Sequence, residues 1–293
     1  MKAAVIGVGV MGSAIAGRLL ASGAEVTLYD RDAAKCAELV GQGAKLAASA
    51  RAASAEAAFV VTSLNSAAIV EAAVFGPGGV AEAAGADKLL FDMSSIDAGL
   101  SARMAARLLD ETGMEWVDAP LSGGAPAACE GTLTLMIGGH DAAVARARPL
   151  IEVLARNATH LGGPGAGQTV KLVNQMLCAN TFLAVAEAVR FAEAQGVDAA
   201  RIPEALAGGR ADSRILQEFM GKMARRDFTP TGRIDNMLKD LETAQLAAMS
   251  ARLALPLTSL AADLHRMLVA GGLGPADSAE YVRLFDLGRG TGA

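Results

Sequence analysis

The stretch Gly7–Ala14, GVGVMGSA, sits between the apolar run AAVI and the apolar stretch IAGRLL, and it constrains the fold more than any other part of the chain. KAAVIG reads as a buried strand, MGSAIAGRLLASG as a helix closed by Gly23, and EVTLYD as a second strand ending in Asp30. Strand, glycine turn, helix and an acidic residue at the end of the next strand make up the βαβ pattern that binds dinucleotides. Gly7 then permits the tight turn, Gly9 lets backbone approach a pyrophosphate, and Gly12 lets the helix pack closely on the strand. The helix N-terminus offers unpaired N–H groups and partial positive charge to an anion. Asp30 is placed to accept hydrogen bonds from the adenosine ribose hydroxyls, which favours NAD because a 2′-phosphate would meet a negative charge. Arg31 keeps NADP open, since a guanidinium there either accepts that phosphate or covers the adenine. An export signal is the competing reading of the same residues, because Lys2 precedes an apolar stretch and LLASGA offers small residues for cleavage. Gly7, Gly9, Gly12 and Gly17 would weaken a helical signal core and Arg18 would charge its end, so that reading is set aside.

A chain of 293 residues, 52% hydrophobic and 19% charged, is long enough for two domains with an ample core. Its net charge of −5 argues against a general affinity for nucleic acid. Beyond the N-terminus no apolar run is read as reaching the ~20 residues that cross a bilayer, so no membrane segment is expected. The three cysteines form no CxxC pair, and an odd number does not suggest a disulfide framework, which points to the reducing cytoplasm.

Organisation changes near Gly162. Before it, AAFVVTSL, KLLFDMS, MEWVDAP, LTLMIGG and ATHLG continue an alternation of strands and helices, as a parallel, doubly wound α/β sheet of Rossmann type requires. The carboxyl ends of these strands deliver Leu64, Asn65, Ser95 and the segment PLSGGAP to the edge where such sheets bind ligands. After GGPGAG the strand signal disappears, and a helix over about 167–195 leads into an all-helical remainder. The expected domains are therefore 1–162, binding NAD, and 163–293, all-helical and serving substrate binding and oligomerisation. The closing GRGTGA is expected to fray.

Transfer of a hydride between a hydroxyl carbon and a nicotinamide needs a group to take the hydroxyl proton. His140, His160 and His265 follow no motif and are assigned structural roles, and neither they nor the cysteines show metal-ligand spacing. Lys171 is the better candidate. It shares a helical face with Asn174 and Cys178, while Val170, Val173 and Leu177 form a neighbouring apolar face expected to pack inward. Partial desolvation there would lower the lysine pKa toward the range of a general acid/base. Periodicity alone equally describes a lysine that snorkels near a helix start.

Taken in order, GVGVMG, FDMSSID, DAPLSGGAPAACEGTLTLMIGG, GAGQTVKLVNQ and NMLKDL resemble the signatures of the β-hydroxyacid dehydrogenase family over nearly the whole chain. The resemblance implies an NAD(P)-dependent oxidoreductase acting on a short 3-hydroxy acid or its semialdehyde, with Lys171 as catalytic acid/base. It implies that Ser122, Gly123 and Gly124 hold the substrate carboxylate and that Asn174 hydrogen-bonds the substrate. It places Val10, Met11, Leu64, Asn65 and Ser95 against the cofactor, beside Gly7, Gly9, Gly12, Asp30 and Arg31, with Lys239 reaching it from the second domain. It also implies a homodimer or homotetramer. Read without the resemblance, SGG is an ordinary turn, and Lys239 and Asp240 lie on a solvated helix face.

The chain departs from the family pattern at Gln175, where a second Asn is common, and at Thr231–Gly232, where Gly–Phe is common. Gln175 keeps amide chemistry for a second substrate contact, and the lost aromatic would admit a larger acyl chain. Two other readings exist: an imine reductase, similar in fold but without the lysine, and a non-catalytic module that senses nucleotides.

Overall fold

The computed structural model describes residues 1–285, and the GRGTGA tail lies outside the described residues. The chain forms two compact units that divide between Lys171 and Leu172.

The first unit runs β1 (Lys2–Ile6), α1 (Val10–Ala21), β2 (Glu25–Tyr29), α2 (Ala37–Gly41), β3 (Lys45–Leu46), α3 (Ala50–Ser54), β4 (Phe59–Thr62), α4 (Ala67–Phe75), β5 (Leu89–Asp92), α5 (Ala98–Thr112) and β6 (Glu115–Asp118). It continues with β7 (Leu121–Ser122), α6 (Gly124–Glu130), β8 (Leu133–Ile137), α7 (Asp141–Arg146), α8 (Arg148–Leu154) and β9 (Ala155–His160). Six parallel strands pair in the order β3-β2-β1-β4-β5-β6. This is the Rossmann-type order, with the crossover beside β1. The strands read as continuous apolar runs because both faces are covered. Ala3 and Val5 enter one core cluster, whereas Ala4 and Ile6 enter the cluster on the opposite face.

The expectation of one parallel sheet holds only as far as β6. LTLMIGG and ATHLG form a second sheet, β7-β8-β9, in which β8 and β9 are parallel while β7 runs antiparallel to β8. A bridge between Asp118 and Gly138 links the two sheets. β3 and β7 went unpredicted because two-residue strands carry no periodicity.

Helix α9 (Ala166–Ala194) is 29 residues long and carries the boundary between the units. An eighteen-residue stretch of it averages 1.3 in hydropathy, which corrects the expectation that no segment is long and apolar enough to cross a membrane. Its polar residues fall singly or in pairs such as Asn174–Gln175 and Asn180–Thr181, so they interrupt the run of apolar letters while the average stays high. In the second unit α9 is followed by α10 (Ile202–Leu206), α11 (Arg214–Arg225), α12 (Ile234–Ser250) and α13 (Pro256–Leu268). Ala179, Phe182, Leu183, Val185, Ala186 and Val189 of α9 pack in one core with Met220, Leu241 and Tyr281. The face expected to pack inward does not: Val173 is 46% and Leu177 65% exposed, and the buried stripe is the one that starts at Leu172. Periodicity locates two apolar stripes on such a helix and cannot say which is covered.

Candidate active site

The glycine loop has the geometry its residues require. Gly7 has φ +92, and a Cβ on Gly12 would lie 1.8 Å from the Gly7 carbonyl oxygen, so α1 touches the end of β1 backbone to backbone. A Cβ on Gly9 would meet nothing within 4 Å, and Val10 beside it is 79% exposed. Helix α1 starts at Val10 with no side-chain cap and no acid in its first turn, which leaves its N–H groups to an anion. Asp30 binds the same loop: Val8 N–H donates to Oδ2 at 2.8 Å, and Lys35 Nζ lies 3.6 Å from Oδ1. Arg31 is exposed beside it, and Met11 is half-buried at the start of the helix. The loop and the carboxylate therefore fit the pyrophosphate and ribose of a dinucleotide.

The next strand ends are tied by buried polar groups. Thr62 Oγ1 donates to Asp92 Oδ1 at 2.8 Å, Ser94 N–H donates to the same oxygen at 3.0 Å, and Leu64 N–H donates to Ser94 Oγ at 3.0 Å. Burial pushes the Asp92 carboxyl up, and its Oδ2 has no hydrogen-bond partner among the described residues. Leu64 and Ser95 are half-buried at this edge and Asn65 is exposed.

Beyond β6 the chain enters the SGG loop. Gly123 and Gly124 have φ +120 and +67, a region that side chains rarely adopt, so these glycines shape the turn in which Ser122 stands at the end of β7. Lys171 is half-buried, and its Nζ donates to the Leu121 carbonyl at 2.8 Å. The side-chain nitrogen thus rests on the residue preceding Ser122.

The start of α9 was the part that sequence reasoning missed. Asp118 Oδ1 accepts from Gly165 N–H at 2.7 Å and Oδ2 from Gln168 N–H at 2.9 Å, so a buried carboxylate from β6 caps the helix that carries Lys171. Burial pushes this carboxyl up, and the backbone N–H donors counter the shift. A signal was present: LGGPGA contains no Ser, Thr, Asp or Asn whose side chain could cap the helix, so the first N–H groups of a long helix had to be satisfied from elsewhere.

In the second unit Asn174 Nδ2 donates to Gln175 Oε1 at 2.9 Å, Gln175 Nε2 donates to Asp240 Oδ2 at 2.6 Å, and Lys239 Nζ lies 3.3 Å from Asp240 Oδ1. Four residues of two signatures thus form one polar string. Asp240 is only 6% exposed, which corrects its placement on a solvated face. The Thr231–Gly232 turn is fixed by Asp277, whose Oδ2 accepts from both backbone N–H groups and from the Thr231 hydroxyl. Of the histidines, His140 meets Glu115, His160 Nε2 bonds the Gly139 and Gly162 carbonyls, and His265 is buried between the Ala261 carbonyl and the Tyr281 hydroxyl.

The NAD binding domain of 6-phosphogluconate dehydrogenase matches residues 2–162, and the NAD-binding domain of NADP-dependent 3-hydroxyisobutyrate dehydrogenase matches residues 165–285. Fold, glycine loop and these matches define an oxidoreductase that uses NAD(P) and acts on CH–OH groups. The chain is 36% identical to 2-hydroxy-3-oxopropionate reductase of Escherichia coli (strain K12) over 287 residues, covering 98% of each chain. It is 35% identical to an NAD-dependent L-serine dehydrogenase of Pseudomonas aeruginosa over 290 residues, covering 97% of each. The solved structure of Mycobacterium tuberculosis 3-hydroxyisobutyrate dehydrogenase with L-serine superposes with a TM-score of 0.88 at 29% identity, covering 97% of this chain and 98% of that one. The chain belongs to the β-hydroxyacid dehydrogenase family, and its activity is that of an NAD(P)-dependent β-hydroxyacid dehydrogenase.

Proposed function

We propose that this enzyme interconverts a short 3-hydroxy carboxylic acid and its semialdehyde, with NAD preferred and Lys171 as general acid/base. The observation that carries the reading is the 2.8 Å hydrogen bond from Lys171 Nζ to the Leu121 carbonyl, which sets the lysine beside the SGG loop. The acids named for the relatives above share a carboxylate and an alcohol or aldehyde carbon two bonds away, and differ at the carbon between them. A loop that grips the carboxylate fixes the reacting carbon at a constant distance whatever that middle substituent is.

The nicotinamide, when bound, supplies the acceptor or donor of hydride. In our reading the glycine loop with Val10 and Met11 holds its pyrophosphate, Asp30 the ribose, and Leu64, Asn65 and Ser95 line its path to the reacting edge, with Arg31 beside the adenosine. The Ser122 hydroxyl and the N–H groups of Gly123 and Gly124 hold the substrate carboxylate. Lys171, neutral before oxidation, takes the hydroxyl proton, and in reduction returns it to the carbonyl oxygen. Asn174 and Gln175 contribute amides to the substrate, and Lys239 a cation to the cofactor. Holding both partners in register supplies most of the acceleration. The assignment of 1–162 to cofactor binding and 163–293 to substrate binding and assembly belongs to the same proposal.

Assembly as a homodimer or homotetramer, in the cytoplasm, completes it. Support comes from large apolar side chains left exposed in the second unit, among them Leu177, Phe191, Leu257, Leu260 and Met267. Sedimentation that gives only a monomer at micromolar concentration contradicts this part.

Nicotinamide absorbance, followed with NAD and NADP, tests the function against 3-hydroxyisobutyrate, D- and L-glycerate, L-serine, L-threonate and 3-hydroxypropionate, and against tartronate semialdehyde in reverse. Turnover of one or more of these acids with NAD is expected. Activity with NADP alone transfers the ribose argument from Asp30 to Arg31. Binding of cofactor without turnover in either direction overturns the reading and favours a nucleotide-sensing module.

A further inference from the structure

Gln168 is 1% exposed, and its side-chain amide is engaged at both ends by a single loop. Nε2 donates to the Ser94 carbonyl at 2.8 Å, and Oε1 accepts from Ile96 N–H at 3.1 Å. The two partners flank Ser95, so one amide clamps that residue from both sides. The Gln168 backbone N–H donates in turn to Asp118 Oδ2 at 2.9 Å. Lys171 stands at i+3, one helical turn further along the same face. Glutamine is seldom buried, and a buried amide must have its hydrogen bonds made. Here they go to backbone atoms 72 and 74 positions away rather than to its own helix. Asn would not reach both partners, Glu lacks the donor, and an apolar residue lacks both functions.

We propose that Gln168 is a positioning residue for the reaction: it holds the Ser95 loop, on the cofactor side, in fixed register with Lys171. This rests on the reading of Lys171 as the acid/base. The strut acts on alignment in the chemical step, because its contacts are to backbone and its side chain is closed to solvent. Misplacement by about 1 Å is enough to cost on the order of a hundredfold in rate.

The test uses Gln168→Leu in the full-length protein, assayed with tartronate semialdehyde and NADH carrying deuterium at the transferred position. Expected are a fall in kcat of about a hundredfold, a calorimetric Kd for NADH within about twofold of wild type, and a larger primary isotope effect as hydride transfer becomes rate-limiting. In the Lys171→Ala background the same substitution adds no further loss of single-turnover rate. Wild-type kcat, an unchanged isotope effect, or an equal loss in both backgrounds overturns the proposal. Should Gln168→Leu fail to fold, Gln168→Glu replaces it: its ratio of kcat to wild type rises as pH falls, because the protonated carboxyl again donates to the Ser94 carbonyl. A flat ratio overturns the proposal. The underlying reading fails separately, through a Lys171→Ala enzyme that still turns over.

Discussion

The two units hold their titratable groups in different ways. In the first, Asp92 and Asp118 are enclosed among hydroxyl and backbone N–H groups, and burial pushes both carboxyls up. In the second, carboxyls are held down by partners, as where the Arg226 guanidinium bonds Glu193 and Arg233 bonds Asp235, while burial pushes the His265 imidazole down. The first unit uses buried polar groups to fix backbone: strand ends, a helix start and the loops between them. The second adds pairs of side chains, Gln175 with Asp240 and His265 with Tyr281, to a buried carboxylate, Asp277, that fixes the Thr231–Gly232 backbone.

The largest effect is expected at the glycine loop. Gly12→Ala would drive a Cβ to 1.8 Å from backbone, with no flexible side chain to yield, so cofactor binding should be lost with destabilisation of at least about 3 kcal/mol in urea. Gly9→Ala meets nothing within 4 Å and should leave urea stability unchanged while weakening NAD binding in calorimetry. Equal stability loss in the two variants would break the distinction between a packing glycine and a ligand glycine.

Asp118→Ala comes next. It strands the buried N–H groups of Gly165 and Gln168, at about 1–3 kcal/mol each, and frees the first turn of α9. Loss of hydrogen-exchange protection at residues 165–168 is the direct readout, and Asp118→Asn, which keeps one acceptor, should lose roughly half as much stability. Asp240→Leu in the second unit removes the hydrogen bond from Gln175 and the partly exposed ion pair with Lys239 and should cost about 1–2 kcal/mol, with KM for the acid rising more than kcat falls.

Acid should separate the units by the smallest but most diagnostic margin. His265 has its folded pKa lowered, so its contribution is whole above the ordinary value of about 6.5 and is lost as pH falls below it. Glu193 and Asp235, also lowered, lose theirs as pH falls further through the carboxylate range. Asp92 and Asp118 have raised values, so they contribute fully below about 3.9 and lose stability as pH rises. Moving from pH 7.5 to 5, amide protection should fall in 172–285 relative to 1–171, and His265→Gln should reduce the difference. A uniform decline would contradict the contrast.

These contrasts also explain what the sequence disclosed. The glycine loop, Asp30, β1 and β2, and the extent of α9 were legible because each follows from neighbouring residues: φ above zero at Gly7, apolar runs in strands covered on both faces, and an uninterrupted helical stretch. The cap from Asp118, the strut from Gln168 and the burial of Asp240 depend on partners 47 to 74 residues away, and the two-residue β7 is too short to show a period. Nothing local encodes such partners, although the missing cap before α9 announced that one was needed. The inverted expectation for Val173 and Leu177 has the same origin, because which apolar stripe of α9 is covered is decided by the elements packed against it.

The most direct measurement is Lys171→Ala, with steady-state kinetics on tartronate semialdehyde and calorimetry of NADH binding on the same preparation. The account predicts a loss of kcat of at least about 10³-fold with cofactor affinity nearly intact. Turnover within tenfold of wild type, or loss of cofactor binding in step with activity, would contradict it.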